Sequence, residues 1–191
     1  MNQQQLPPAH VALSFVGPIA YPATKILRNA CCQAINSGAK QLTLLISSPG
    51  GTTVEGFALY HFLRSLPLEL TTHNIGSIES IANIVFISGS KRFSCSNTRF
   101  MFHDFSWTYG QQETLDRDQM KQRAQSLDAD AKQFIEIFKL HTALTDEQFD
   151  TLQLLHQPTI VAPDRAKEMG IIQEITDAKI ASGVPLLNVD F

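Results

Sequence analysis

Three short segments of the chain carry residue types that could perform acyl transfer. Residues 42–51 read LTLLISSPGG, an apolar run that ends in a proline and two glycines, the last of them Gly51. Ser80 follows a strand-like segment in GSIES, and His103 ends another in RFMFH. A serine nucleophile needs a base to take its proton. We therefore interpret Ser80 as a candidate nucleophile and His103 as its candidate general base.

Backbone N–H groups are the expected donors to the oxyanion of a tetrahedral intermediate. Glycine allows a substrate to approach the main chain closely, so the Gly51 N–H is one candidate. Ser80 is predicted to open a short helix, which would place the Ile81 N–H in the same cleft. Taken singly, these signals more often mark an N-cap serine, a structural histidine and an ordinary turn. Their order and spacing favour the catalytic interpretation.

Alternating strands and helices must position these residues. Strand-like segments are predicted at residues 10–16, 42–46, 70–75 and 99–103, and helical segments at 22–38, 54–66 and 80–88. Alternation of this kind favours the α/β class with a parallel sheet flanked by helices. The chain has 191 residues, 43% of them apolar, which is enough for one substantial core. We expect a single domain over residues 1–191, with ligands at the carboxyl ends of the strands.

A long helix is predicted over residues 113–140, which contain no proline or glycine. Its apolar residues recur at alternating spacings of four and three, at Met120, Ala124, Leu127, Ala131, Phe134 and Phe138. This heptad-like stripe indicates one helix of roughly 40 Å, since each residue adds about 1.5 Å. A domain of this size cannot cover such a helix. We therefore expect part of the helix to project and to contact another subunit.

The C-terminal third shows two further helix signals. Thr145 and Gln148 form a capping-box pattern that opens a helix over residues 145–155. A second, shorter helix is predicted over residues 163–169 and ends at Gly170. Residues 171–175 resemble a last strand. The tail over residues 178–191 has no clear period, and we expect it to be loosely held.

Composition excludes several classes of partner. The net charge is −3 and no run of like charges occurs, so neither nucleic acid nor an anionic membrane is implied as a partner. The N-terminal segment lacks a secretory pattern and no apolar stretch approaches 18 residues, so we expect a cytoplasmic protein. The three cysteines, Cys31, Cys32 and Cys95, indicate neither a disulfide framework nor a metal site. No cofactor is expected.

Several motifs resemble, in order, those of the proteolytic subunit of the Clp protease family, within the Clp/crotonase fold group. ISSPGG at residues 46–51 is similar to that family's N/D-S-P-G-G turn, and GSIESIA at residues 76–82 to its nucleophile motif. TRFMFH at residues 98–103 is similar to its histidine motif, and APDRAKEMG at residues 162–170 to its closing segment. The resemblance covers most of the chain, from about residue 15 to residue 175.

The resemblance implies a serine peptidase with Ser80 as nucleophile and His103 as base. It also implies an oxyanion hole formed by the N–H groups of Gly51 and Ile81. The implied fold is a spiral of repeated β-β-α units rather than a doubly wound sheet. The implied assembly is a homo-oligomeric, ring-forming chamber in which the long helix packs one ring on another. Peptides or unfolded proteins would be the substrates.

The third member of the implied triad is not evident. The family has an aspartate shortly before the closing segment, where this chain reads LLHQPT at residues 154–159. Position matching places His156 or Gln157 there, and the nearest carboxylates in sequence are Asp150 and Asp164. In chymotrypsin-type enzymes, replacing the triad aspartate by asparagine lowers kcat about 10⁴-fold. Three interpretations stay open: a displaced carboxylate, a slow Ser/His dyad, or an inactive subunit.

Two further departures bear on function. Glu79, directly before Ser80, replaces a small residue, and its charge could be merely solvated, could act on His103, or could select basic substrates. The first strand begins near His10, whereas the family carries a longer N-terminal segment that meets an ATP-dependent unfoldase. Dependence on such a partner is therefore not implied. The alternative functions are a non-catalytic structural subunit of a similar assembly and a crotonase-like acyl-thioester enzyme.

Overall fold

The computed structural model describes residues 9–106, 114–151, 155 and 157–189. They form a mixed α/β fold in which strands and helices alternate through the first half of the chain. The strands are β1 (His10–Val16), β2 (Gln41–Ser48), β3 (Glu69–Glu79), β4 (Lys91–Ser94), β5 (Arg99–Phe102), β6 (Thr159–Val161), β7 (Glu174–Ile175) and β8 (Leu186–Asn188). The helices are α1 (Ala23–Asn36), α2 (Thr53–Ser65), α3 (Ala82–Ile87), α4 (Arg117–His141), α5 (Asp146–Thr151) and α6 (Pro163–Glu168).

One sheet connects all eight described strands. Its main path runs β6-β5-β3-β2-β1-β8, and β4 pairs with both β3 and β7. Only the β5–β6 pair is antiparallel. The first half of β3 pairs with β4 and its second half with β5, so the sheet divides along this strand. As a result, β5 and the last residues of β3 and β2 lie side by side.

The predicted strands are present, and β3 is longer than its sequence pattern indicated. It continues to Glu79 because its last three residues pair with β5 over Ser77↔Arg99 to Glu79↔Met101. Short strands β4 and β6 were not predicted, since each is three or four residues long. The expected strand at residues 171–175 is reduced to its last two residues, which form β7.

The C-terminal tail and the long helix differ from expectation at their boundaries. Residues 186–188, in the tail expected to be loosely held, form β8 and pair in parallel with β1, and Val189 beside them is buried. Helix α4 begins at Arg117 rather than at residue 113, which lies outside the described residues. The start is set by a capping box in which the Asp116 carboxylate accepts from the Gln119 N–H.

Helix α4 packs only its C-terminal half on the sheet. The rings of Phe134 and Phe138 are buried and contact Phe102 of β5, with centroid distances of 6.3 and 5.4 Å. In the N-terminal half, Met120 is 53% exposed. Hydrophobic burial therefore holds α4 against the strand that leads to His103, while its first turns extend beyond the core.

A buried guanidinium joins several helix ends. Arg92 on β4 donates hydrogen bonds to the carbonyls of Gly89, His141, Gly170 and Ile171, at distances between 2.8 and 3.2 Å. These carbonyls lie at or just beyond the C-terminal ends of α3, α4 and α6, where backbone acceptors lack helical partners. Arg92 thereby satisfies four buried acceptors from one strand. No helix among the described residues is long and apolar enough to span a membrane.

Candidate active site

Ser80 lies in the turn between β3 and α3. Its φ is +55°, and it is the one non-glycine residue with positive φ in the described chain. A side-chain-bearing residue in this left-handed region is strained, and such turns expose a serine hydroxyl at the end of a strand. The sequence predicted that Ser80 opens this helix, but α3 begins at Ala82 and Ile81 is its N-cap. The sequence located the turn at Ser80 correctly but did not predict the left-handed backbone conformation of this residue.

Main-chain and side-chain hydrogen bonds hold this turn against β5. The Ser80 N–H donates to the Met101 carbonyl at 2.9 Å. The Asn83 Nδ2 donates to the same carbonyl at 2.9 Å and to the Ser80 carbonyl at 3.0 Å. Asn83 is buried, and its Oδ1 has no hydrogen-bond partner among the described residues. Sequence analysis did not identify Asn83, although a lone polar residue in the buried helix α3 is a usable signal.

His103 follows β5 directly. Its neighbour Met101 is paired in register with Glu79, so the strand carrying His103 runs alongside the turn of Ser80. The His103 Nδ1 lies 2.6 Å from the backbone carbonyl of Asp104. Because a carbonyl oxygen only accepts, Nδ1 is the donor in this contact. The contact with the main chain orients the His103 ring.

The glycine turn after β2 contacts the Ser80 turn. A Cβ built on Gly50, whose φ is +90°, would lie 2.7 Å from the Ser80 Cβ and 2.8 Å from the Glu79 carbonyl oxygen. Only glycine fits such a close approach in this conformation. The predicted donor Gly51 is the next residue. Sequence analysis singled out Gly51 and missed the packing role of Gly50.

Neither candidate oxyanion donor, the Gly51 N–H or the Ile81 N–H, is used in a hydrogen bond among the described residues. Gly51 forms a parallel bridge with Ile19, in which Ile19 donates to the Gly50 carbonyl and accepts from the Thr52 N–H. That pattern directs the Gly51 N–H away from Ile19, to the side of the strand on which β3 lies. The Ile81 N–H precedes α3.

No carboxylate among the described residues is hydrogen-bonded to His103. Asp150 lies exposed on α5 and Asp164 lies exposed in the first turn of α6. The antiparallel register of β5 with β6 ends at Phe102 and Thr159, one residue short of His103. Gln157 is exposed, and His156 lies outside the described residues. The described residues therefore supply no third catalytic group that is hydrogen-bonded to the imidazole.

Glu79 is the nearest described anion in sequence to Ser80. Its Oε1 accepts from the Ser77 hydroxyl at 2.6 Å and from the Arg99 Nη2 at 2.9 Å. The pKa of the Glu79 carboxyl is lowered, first by the Ser77 hydrogen bond and then by Arg99 and by the charge of His103, against a raising effect of burial. Glu79 is therefore ionised at neutral pH. Its side chain is 15% exposed.

A polar cleft of about 390 Å³ opens beside Ser77 and Arg99, the two residues that are hydrogen-bonded to Glu79. Its walls include Ser47 at the end of β2, Ser77 on β3 and Arg99 on β5. Ser80 and His103 do not line this cleft. Within the described residues, no group of three or more His, Cys, Asp or Glu side chains is arranged to hold a metal ion.

Comparison with known proteins identifies the family. A family model described as Clp protease matches residues 20–179. The chain is 24% identical over 166 residues to an ATP-dependent Clp protease proteolytic subunit of Bdellovibrio bacteriovorus, covering 83% of this chain and 74% of that protein. Among solved structures, a ClpP1 mutant from Listeria monocytogenes has the same fold, with a TM-score of 0.76 and 17% identity over 90% of this chain and 92% of that one. Since the family model spans most of the domain that carries Ser80 and His103, the chain belongs to the Clp protease family.

Proposed function

We propose that this protein is a serine peptidase that works through a Ser80/His103 dyad. The observation that carries the proposal is the left-handed turn at Ser80, which lies against the strand leading to His103. A strained nucleophile turn at a strand end costs stability, about 1–3 kcal/mol, and such strain concentrates at active sites. Membership of the Clp protease family supports peptide bonds as the target.

The chemistry follows from the two side chains and the two N–H groups. His103 Nε2 takes the Ser80 hydroxyl proton as Ser80 Oγ attacks the peptide carbonyl carbon. The carbonyl electron pair moves onto oxygen, and the N–H groups of Gly51 and Ile81 stabilise this oxyanion. Collapse of the intermediate breaks the C–N bond, and the amine leaves with the proton from His103. Water, deprotonated by His103, then hydrolyses the acyl-enzyme.

A fluorophosphonate reagent tests the nucleophile directly, because it forms a stable adduct only with an activated serine. We expect wild-type protein to be labelled on Ser80 and to cleave unfolded peptides, and Ser80→Ala to lose both activities. Ser65→Ala, which removes an exposed hydroxyl at the end of α2, should keep both. Correctly assembled wild-type protein that takes no label on Ser80 would overturn the proposal.

A second candidate function is that of a structural subunit with little or no activity. The observation that favours it is the absence of a carboxylate hydrogen-bonded to His103 among the described residues, whose Nδ1 contacts only the Asp104 carbonyl. Such a subunit would assemble with an active relative. Peptide cleavage by the purified protein that Ser80→Ala abolishes would exclude this function.

The proposed assembly is a homo-oligomeric ring in which the projecting part of α4 contacts other subunits. Support comes from the exposed apolar residues in its N-terminal half, among them Met120.

A further inference from the structure

Helix α3 is buried along its whole length, and Asn83 is its one polar residue. All six residues of Ala82–Ile87 are buried, and Asn83 is 1% exposed. An amide in apolar surroundings costs free energy unless hydrogen bonds replace those that it made to water. The contacts of the Asn83 side chain must therefore explain its presence in this helix.

The Asn83 amide joins two backbone carbonyls from different parts of the fold. Its Nδ2 donates to the Ser80 carbonyl at 3.0 Å and to the Met101 carbonyl on β5 at 2.9 Å. Glu79 and Met101 are the last residues paired between β3 and β5. The amide therefore adds a bond just beyond the end of this ladder, between the turn that carries Ser80 and the strand that leads to His103.

Neither carbonyl depends on this amide for its only hydrogen bond. The Ser80 carbonyl also accepts from the Asn83 N–H at 3.1 Å, and the Met101 carbonyl from the Ser80 N–H at 2.9 Å. Loss of the side chain would thus leave both carbonyls paired. The Asn83 Oδ1 is buried and accepts no hydrogen bond from the described residues, which is unfavourable for folding. A protein with an apolar side chain at this position should therefore be at least as stable.

What the amide restrains is a strained backbone conformation. The φ of Ser80 is +55°, and a non-glycine residue keeps such a conformation only where its surroundings over-determine it. The Ser80 N–H is held by Met101, and the Ser80 carbonyl is held by two donors of Asn83. Because the same amide is also bonded to Met101, it limits the movement of Ser80 relative to β5.

We propose that Asn83 is a positioning residue for the Ser80 nucleophile, which it holds against β5 at a cost in stability. The inference rests on the proposed peptidase function. Asn83 acts through the carbonyls of Ser80 and Met101 and takes no part in the chemistry itself. A turn that moves freely spends less time in the geometry in which the Ser80 Oγ can attack and pass its proton to His103.

Asn83→Leu tests this role, because leucine has nearly the shape of asparagine and cannot donate a hydrogen bond. With a small uncharged fluorophosphonate, the maximal rate constant of Ser80 labelling should fall roughly tenfold or more. The reagent concentration that gives half of this maximum should not change, and all of the protein should be labelled in the end. The Tm should be no lower than that of wild type. Asn83→Ala, which introduces no bulk near the two carbonyls, should likewise slow labelling.

The matched control is Thr72→Val, which removes a buried hydrogen bond near the other end of the same helix. Thr72 on β3 donates from Oγ1 to the Phe86 carbonyl at 2.7 Å, and valine has the same shape without the hydroxyl. Its Tm should fall by roughly 2–4 °C, while the rate constant of labelling should match that of wild type. General loosening of α3 cannot produce these opposite effects in the two variants.

The outcomes separate this inference from the proposed function. Equal rate constants for wild type, Asn83→Leu and Asn83→Ala would overturn the role of Asn83 and leave the peptidase proposal standing. Incomplete labelling of these variants at the wild-type rate, with a lowered Tm, would also overturn it, since that result is partial unfolding. Wild-type protein without a Ser80 adduct would overturn the proposed function and the role of Asn83 with it.

Discussion

At the scale of single residues, the site depends on close backbone approach and on one strained serine. Gly50 permits the β2 turn to touch Ser80, while Asn83 and Met101 hold the serine in its left-handed conformation. The imidazole is oriented by a backbone carbonyl rather than by a carboxylate. Because these contacts are short and local, single substitutions should distinguish a loss of reactivity at Ser80 from a loss of stability caused by backbone strain.

Gly50→Ala should reduce fluorophosphonate labelling of Ser80 by more than tenfold. The new methyl group would lie 2.7 Å from the Ser80 Cβ, which forces the nucleophile turn to move. Small displacements of reacting groups cost about 10²-fold in rate. The rate constant of labelling measures the effect.

The matched control for that substitution is Gly183→Ala. Gly183 also has a positive φ, +85°, but nothing lies within 4 Å of a Cβ at that position. Gly183→Ala should therefore cost about 1 kcal/mol of stability through backbone strain alone and leave labelling unchanged. Equal labelling by wild type and Gly50→Ala would contradict the proposed contact.

At the scale of elements, the C-terminal end of α4 contacts α2 through a buried polar pair. His141, the last residue of α4, lies 2.7 Å through Nε2 from the Tyr60 hydroxyl on α2. The pKa of His141 is lowered, first by burial and then by the positive charges of Arg64 and Arg92. A lowered pKa means that the neutral imidazole is the stable form here, and its Nε2 accepts a hydrogen bond from the Tyr60 hydroxyl.

Acidification should therefore weaken this junction. Between the lowered folded pKa of His141 and its ordinary value near 6.5, the unfolded chain binds more protons than the folded one. The free energy of unfolding should rise with pH through that window and fall as the pH drops through it. His141→Gln should flatten this slope, as measured by urea unfolding at a series of pH values.

His61→Gln provides the comparison, because His61 is an exposed histidine on the same helix as Tyr60. It should retain the wild-type slope. A slope that His141→Gln leaves intact would show that another group is responsible for the pH dependence.

At the scale of the whole molecule, α4 divides into a packed half and a projecting half. Phe134 and Phe138 anchor it to β5, whereas Met120 is more than half exposed on the described chain. Exposed apolar residues repeating along one helix face are typical of a surface that another helix covers. The proposed oligomer would bury this stripe.

Met120→Asp combined with Leu127→Asp should dissociate the oligomer, because burying two carboxylates in a helix interface is unfavourable. We expect a smaller mass by light scattering and unchanged helix content by circular dichroism. Lys121→Asp combined with Gln125→Asp adds charge on a neighbouring face of the same helix and should leave the mass unchanged. If light scattering gives the same mass for both double variants, the proposed interface is contradicted.

The sequence by itself determined the features that depend on local chemistry. Apolar runs and glycine turns predicted the main strands, the Thr145/Gln148 capping box formed as expected, and the order of motifs indicated the family. These signals arise within a few residues, where period and turn chemistry are decisive. Ser80 and His103 were identified as candidates for the same reason, and their catalytic roles stay predictions.

Only the tertiary structure decided how distant segments meet. Strand β8 forms because β1 offers it a parallel edge, and β3 extends to Glu79 because β5 pairs with its last residues. The left-handed turn at Ser80 is held by contacts with β5, and β6 pairs antiparallel with β5 up to Phe102, the residue before His103. Register between strands far apart in sequence carries no local signal, since it is set by packing over the whole sheet.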